Sequence, residues 1–315
     1  MIPTPPRDAL VATAGETIAA GSRSFAAASR LFDRTTRERA WLLYAWCRAC
    51  DDLADGQVLG HDMVAVADPA ARLARIETLT GAVLAGEWVG DPAFDGLRFV
   101  VAETDMPRAL IDDVIAGFAL DAADWRPRNT DDLDRYCYHV AGAVGCMMAL
   151  VMGVPPDDHD TIDRACDLGM AFQLANIARD IAEDARAGRC YLPQKWLAEM
   201  DIPPGEHMQP AYRSGLTVLA RRLAERAGDY EASARIGSTR LSFRAAWAVL
   251  AAARIYGGIA RHVAASGEQA WDRRVTTGSA EKFAAIGLAA REAVARAALY
   301  TPAPRPQKLW NRPRR

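Results

Sequence analysis

The residues best suited to chemistry lie in one run, Phe172 to Asp184, which reads FQLANIARDIAED. Read as helix, Gln173, Asn176, Asp180 and Asp184 follow at offsets of three, four and four, so their side chains stack along one face. The stripe is polar, yet Leu168, Met170, Phe172, Leu174, Ile177 and Ile181 make its surroundings apolar. A second stripe holds Tyr44, Arg48, Asp51 and Asp55. Each stripe contains a pair of carboxylates one helical turn apart. Two like charges about 4 Å apart repel by about 4 kcal/mol at an effective dielectric of ~20. Water and salt relieve such a pair at a surface, whereas a pair facing a cavity needs a cation. Magnesium suits the task, because it takes one or two carboxylates and completes its shell with water and substrate oxygens. The two stripes are expected to face each other across a cavity and to hold magnesium against a diphosphate. The plain alternative is a solvated helix face on which Arg48, Arg179 and Arg186 pair with the acids.

The elements that must position these residues all read as helix. Helical patterns cover about 9–29, interrupted at Gly21–Phe25, then 36–55, 69–87, a short stretch from Asp91-Pro92, 107–120, 131–152 and 158–187. Three more follow at 211–235, 240–265 and 279–298. Gly56 and Gly188 stand as stops, and 188–210 reads as loop with one turn near Lys195–Glu199. Sustained alternation and hairpin turn signals are absent, so the fold class is all-α, a single large helical bundle. The expected division is a disordered end at 1–8, one helical domain at 9–300 and a basic, proline-rich tail at 301–315. That tail is expected to run extended in solvent, with contact to anionic lipid as its other use.

Bulk properties exclude several classes. The chain has 315 residues, half of them hydrophobic, which is ample for a buried core. Its formal net charge of −2 argues against nucleic-acid binding. No run of signal-peptide character opens it and no stretch is apolar enough to span a bilayer, so a cytoplasmic location is expected. Cys47 and Cys50 form one CxxC without a second pair, and the histidines lack ligand spacing. Packed, reduced cysteines and no zinc site are expected.

Seven stretches together resemble a known family: GSRSF (Gly21–Phe25), YAWCR (Tyr44–Arg48), DDLAD (Asp51–Asp55), YCYHVAGAVG (Tyr136–Gly145), AFQLANIARDIAED (Ala171–Asp184), GRCYLP (Gly188–Pro193) and WDRRV (Trp271–Val275). The chain resembles the head-to-head prenyl synthases, the squalene/phytoene synthase family, and within it the bacterial phytoene synthases. The resemblance implies an isoprenoid synthase bundle with a central hydrophobic cavity. It implies condensation of two geranylgeranyl diphosphates through a cyclopropylcarbinyl diphosphate to phytoene, the entry step of carotenoid synthesis. Magnesium is the implied cofactor, with manganese as substitute, and no NADPH is expected. The alternatives are squalene or dehydrosqualene synthesis from farnesyl diphosphate, and an idle prenyl-binding or assembly protein. Peripheral contact with the inner face of the membrane and transient contact with other carotenoid enzymes belong to the same implied picture.

The resemblance also distributes roles. Asp51, Asp55, Asp180 and Asp184 would bind metal, with Asn176 as a further ligand. Arg48 and Tyr44 would act at the diphosphate. Ser22, Ser24, Arg179 and Arg274 would contact phosphate, Arg274 competing with its neighbour Arg273. Tyr136 and Tyr256 match tyrosines lining the family's site, while Phe25, Val140, Ala141, Val144, Gly145 and Gln173 would line the prenyl tunnel. Read without the family, the serines are helix caps, the tyrosines are core aromatics, and the small residues near Gly145 serve close helix packing. Glu183 is expected either to bind metal through water or to hold Arg179, and Gly188–Pro193 to cover the site as a flap.

Overall fold

A computed structural model describes residues 5–56 and 68–314, with only the backbone of Arg23, Ser24 and Asp55. The described residues are helix and connecting loop without a strand. They group into two compact units, Met1–Ala123 with Met147–Asp158, and Asp124–Cys146 with His159–Arg315.

In the first unit, α1 (Arg7–Gly21), α2 (Arg23–Ser29) and α3 (Arg34–Asp55) are followed by α4 (Pro69–Leu84), α5 (Pro92–Thr104) and α6 (Arg108–Ala122). Local grammar sets most boundaries. Asp33 caps α3 by accepting from Thr36 N at 3.0 Å, and Gly56 ends it at φ 65°. Asp91 caps α5, with Pro92 in the first turn. Helix α3 is the spine, with Ala40, Leu42, Leu43, Trp46 and Cys50 fully buried. Helix α1 begins inside the stretch expected to be disordered. There Arg7 bridges Glu38 of α3 and Glu103 of α5, each at 2.6 Å, and these partners are remote in sequence.

In the second unit, α7 (Thr130–Cys137) passes through a π-helical turn (Tyr138–Gly142) into the start of α8 (Ala143–Val151), whose residues from Met147 belong to the first unit. Helix α9 (His159–Arg186) is 28 residues long, and α10 (Gln194–Glu199) is a single short helix. Then come α11 (Arg213–Gly237), α12 (Phe243–Ser266) and α13 (Ser279–Leu299). The α9 core face is Leu174, Ala175, Ile177, Ala178 and Ile181, all buried. The π turn meets α9 at close range. A Cβ on Gly169 would lie 2.2 Å from the Ala141 carbonyl oxygen, and one on Gly145 2.3 Å from that of Ala165. Only glycine permits this approach.

The tail is not a solvated end. Arg305 places two hydrogen bonds on buried Asp167, at 2.6 and 2.8 Å. Arg312 and Arg314 bind Asp163, and Lys308 binds Asp229. The Trp310 ring lies 5.2 Å from that of Tyr138. The tail's cations are thus held by carboxylates of its own unit.

Candidate active site

In the first unit, expected site residues lie at the start of α2 and in the C-terminal half of α3. Ser22 is the N-cap of α2, its hydroxyl accepting from Phe25 N at 3.3 Å. The Ser24 side chain lies outside the described residues. Phe25 packs on Tyr44 with ring centroids 5.5 Å apart. The Arg48 guanidinium lies 5.7 Å from the Tyr44 ring centre and 3.5 Å from the Asp51 carboxylate. The structure therefore joins Phe25, Tyr44, Arg48 and Asp51 into one chain of contacts along one face of α3.

Burial raises the Tyr44 phenol, which stays neutral. Burial also works against the Arg48 charge, but Asp51, Tyr44 and Asp52 together outweigh it and the net shift is upward. The Tyr44 hydroxyl and Arg48 Nε are buried without a well-directed hydrogen-bond partner. Buried polar atoms left without a partner call for one, and an anion would serve both. The Asp55 side chain lies outside the described residues.

In the second unit, expected site residues lie in the C-terminal half of α9. Asp180 is held by Arg179 Nε at 2.7 Å and by Arg274 at 3.0 and 3.1 Å. Arg274 also reaches Glu183 at 3.0 Å. It is Arg274, not Arg273, that makes these contacts. Trp271 fixes their loop by donating from its indole to the Ala178 carbonyl at 3.0 Å. Burial pushes the Asp180 carboxyl up, the two arginines pull harder, and the net shift is downward. Burial and the neighbouring Asp180 carboxylate raise Glu183. The pair thus has one firmly ionised acid and one that holds its proton more tightly.

Asn176 lies one turn before Asp180. Its Oδ1 is buried and has no hydrogen-bond partner. Asp184 lies one turn beyond Asp180, where α9 frays towards Gly188. Both acidic stripes thus occupy the C-terminal ends of their helices, α3 and α9. That is the negative pole of the helix dipole, where carboxylates are locally unfavourable. Among the described residues no three His, Cys, Asp or Glu side chains form a ready metal cage. The donors offered are instead sparse, hard oxygens, including the unsatisfied Asn176 Oδ1. That set fits a magnesium ion completed by substrate and water. The described cysteines are all unpaired thiols, and burial raises Cys47 and Cys50 far above the ordinary range.

The remaining expected residues fall into two groups. Tyr256 stacks on Phe172 with centroids 4.2 Å apart, and Gln173, the next residue of α9, is half-buried. Val140, Ala141, Val144 and Gly145 are among the incompletely covered positions of the π turn and α8, though Gly145 is also the close-packing point on α9. Tyr136 sits between Trp125 and Tyr191, at 5.8 and 4.7 Å, so both ring faces are covered. Its stack anchors the Gly188–Pro193 loop. Tyr191, Leu192 and Pro193 are buried, and Arg126 donates to the Gly188 carbonyl at 3.2 Å. The loop is therefore tied down over its second half. Trp125, Tyr191, Trp271 and Gly169 are contributors that the sequence reading overlooked. The WDRRV and GRCYLP stretches contain two of them, but only contacts give the tryptophan and tyrosine their tasks.

The model of the squalene/phytoene synthase family matches residues 18–281. The 15-cis-phytoene synthase of Pantoea ananas is 45% identical over 300 residues, covering 95% of this chain and 96% of that protein. That of Enterobacter agglomerans is 47% identical over 296 residues, covering 93% and 99%. A solved dehydrosqualene synthase in complex with ligand aligns with a TM-score of 0.79 at 25% identity, over 90% of this chain and 96% of that one. Fold and site define a prenyltransferase-type enzyme built on the helical isoprenoid synthase architecture. The chain belongs to the squalene/phytoene synthase family.

Proposed function

We propose that the chain joins two geranylgeranyl diphosphates head to head, releasing diphosphate and forming phytoene, at the start of carotenoid synthesis. Identity of 45–47% to 15-cis-phytoene synthases over nearly the whole chain supports this product over squalene. The observation that carries the site assignment is the orphaned Asn176 Oδ1, one turn from Asp180 in an acidic stripe at a helix C-terminus.

Asp51, Asp55, Asn176, Asp180 and Asp184 would hold magnesium, or manganese in its place. When bound, the metal neutralises charge on the departing diphosphate. Arg48 and Tyr44 offer phosphate two buried, unsatisfied polar atoms. Arg179 and Arg274, now on Asp180, supply the positive field around a second phosphate position. The Tyr256 and Phe172 rings and the small side chains at Val140–Gly145 offer apolar, π-rich surface to a prenyl chain and to allylic cation character. No nicotinamide is required. No described helix is long and apolar enough to cross a membrane. The enzyme is read as cytoplasmic, meeting lipid and other carotenoid enzymes peripherally.

The test is turnover of labelled geranylgeranyl diphosphate by purified protein with Mg²⁺, with and without NADPH. Phytoene in both arms is expected. Absence of diphosphate release would overturn the reading, and product from farnesyl diphosphate alone would move it to squalene or dehydrosqualene synthesis.

A further inference from the structure

Helix α13 has inverted polarity. Its buried side carries charge: Glu292 is 4% exposed and binds Arg235 of α11 and Arg254 of α12. Its outer side carries large apolar groups. Phe283 is 75% exposed, Val294 73%, Leu299 58% and Leu288 47%. At about 100° per residue these four, with the alanines between them, sweep an arc of about 160° around the helix. Arg291, also exposed, falls near its centre. Beside Glu292 the buried side holds only Ala289 and Ala293, so the large apolar groups lie outside, the reverse of an ordinary surface helix. The neighbouring start of α12 extends the patch. Phe243 is 41% exposed and packs 5.9 Å from Trp247, whose indole donates to the Ile286 carbonyl of α13 at 2.8 Å.

Charge decides the occupant. Arg254 binds Glu292 and Arg261 binds Glu231, which leaves four basic side chains of α12 and α13, at 244, 282, 291 and 296, against the acid Glu281. The remaining local balance is a surplus of three positive charges in a chain of net −2. A second copy docked by twofold symmetry would bring Arg291 and its basic rim against their own images, which is repulsive. An anionic bilayer surface has the opposite sign. It would take Phe283, Val294, Leu288 and Leu299 into the acyl boundary while Arg291 reaches phosphate.

We infer that the outer face of α13, with Phe243 and Trp247, is the surface by which this chain lies on an anionic lipid bilayer. The tail is not that surface, because Arg305, Lys308, Arg312 and Arg314 are bound to carboxylates within their unit. The inference stands on this face alone. The proposed activity adds only that cargo and product are lipids.

The experiment is flotation of the full chain with phosphatidylglycerol/phosphatidylcholine vesicles and with phosphatidylcholine vesicles alone. Flotation with the anionic vesicles is expected. Phe283→Ser with Val294→Ser should weaken it about tenfold or more, because two exposed apolar anchors are lost. Arg291→Glu should weaken it on anionic vesicles only. These positions are exposed, so the thermal midpoint should hold. Should a variant fold poorly, phenylglyoxal labelling of Arg291 in the unaltered chain is expected to fall when anionic vesicles are added. Failure of the unaltered chain to float, equal flotation of the serine variant, or unchanged Arg291 labelling would overturn the inference. So would a dimer in sedimentation that Phe283→Ser dissolves. None of these readouts requires turnover, so they stand apart from the activity test.

Discussion

Arg305 donates two hydrogen bonds to Asp167, at 2.6 and 2.8 Å, across 138 residues of sequence. Asp167 is 0% exposed and lies on α9, nine residues before Asn176. The chain's C-terminal segment is therefore part of the support for the helix that carries the second acidic stripe.

Arg305→Ala leaves a buried carboxylate without its cation. The expected cost at neutral pH is about 3–5 kcal/mol in urea denaturation. Burial already raises the Asp167 carboxyl, with Arg305 and Ser233 pulling the other way. A carboxyl raised on folding favours the folded state most when protonated, and that favour is lost as pH rises through the folded value. Removing Arg305 raises it further. The gap between variant and wild type should thus narrow as pH falls, and a gap independent of pH would contradict this account.

Asn176→Ala removes an oxygen with no protein partner, so folding stability should be unchanged or slightly higher. Activity should fall by about 10–100-fold, with a higher magnesium requirement. Urea denaturation and a magnesium titration of turnover separate the two effects. A stability loss with normal magnesium dependence would make Asn176 structural.

Asp180→Asn should lower turnover by more than about a hundredfold while far-ultraviolet dichroism stays helical. Magnesium with inorganic diphosphate should raise the wild-type melting temperature and should do so far less for the variant. Near-normal activity would remove Asp180 from the metal set, and Asp51→Asn should behave alike.

Gly169→Ala places a methyl group 2.2 Å from the Ala141 carbonyl oxygen. Backbone must move, so a loss of about 1–3 kcal/mol or more is expected in chemical denaturation. Gly81→Ala is the control, since a Cβ there meets nothing within 4 Å. Equal behaviour of the two would mean that α9 and the π turn can separate freely.

The legible parts of the chain were those written in local grammar. Gly56, Asp91 and Gly188 mark helix ends where the structure has them. The spacing of Asn176, Asp180 and Asp184 was readable because a helix repeats every few residues. What escaped depends on partners far away in sequence. Arg7 looks like part of a loose end until Glu38 and Glu103 arrive, and the tail's arginines look solvated until Asp163 and Asp167 do. Tyr136 was readable as an aromatic near a motif, but not as the middle ring of three. One signal was present and passed over. Asp167 sits one heptad before Leu174 in a register that is otherwise buried, and an acid there calls for a cation.

The π turn at Tyr138–Gly142 has a consequence for the rest of its helix. A π turn takes in one residue more than an α turn, so everything after it is rotated by about 100° relative to an uninterrupted helix. Tyr136, before the turn, points into the Trp125–Tyr191 stack, while Gly145, after it, meets α9. Deleting a single residue here would restore regular winding and misdirect one of the two. The extra residue works as a phase shifter: one continuous rod serves two differently oriented neighbours without a break in its backbone bonding.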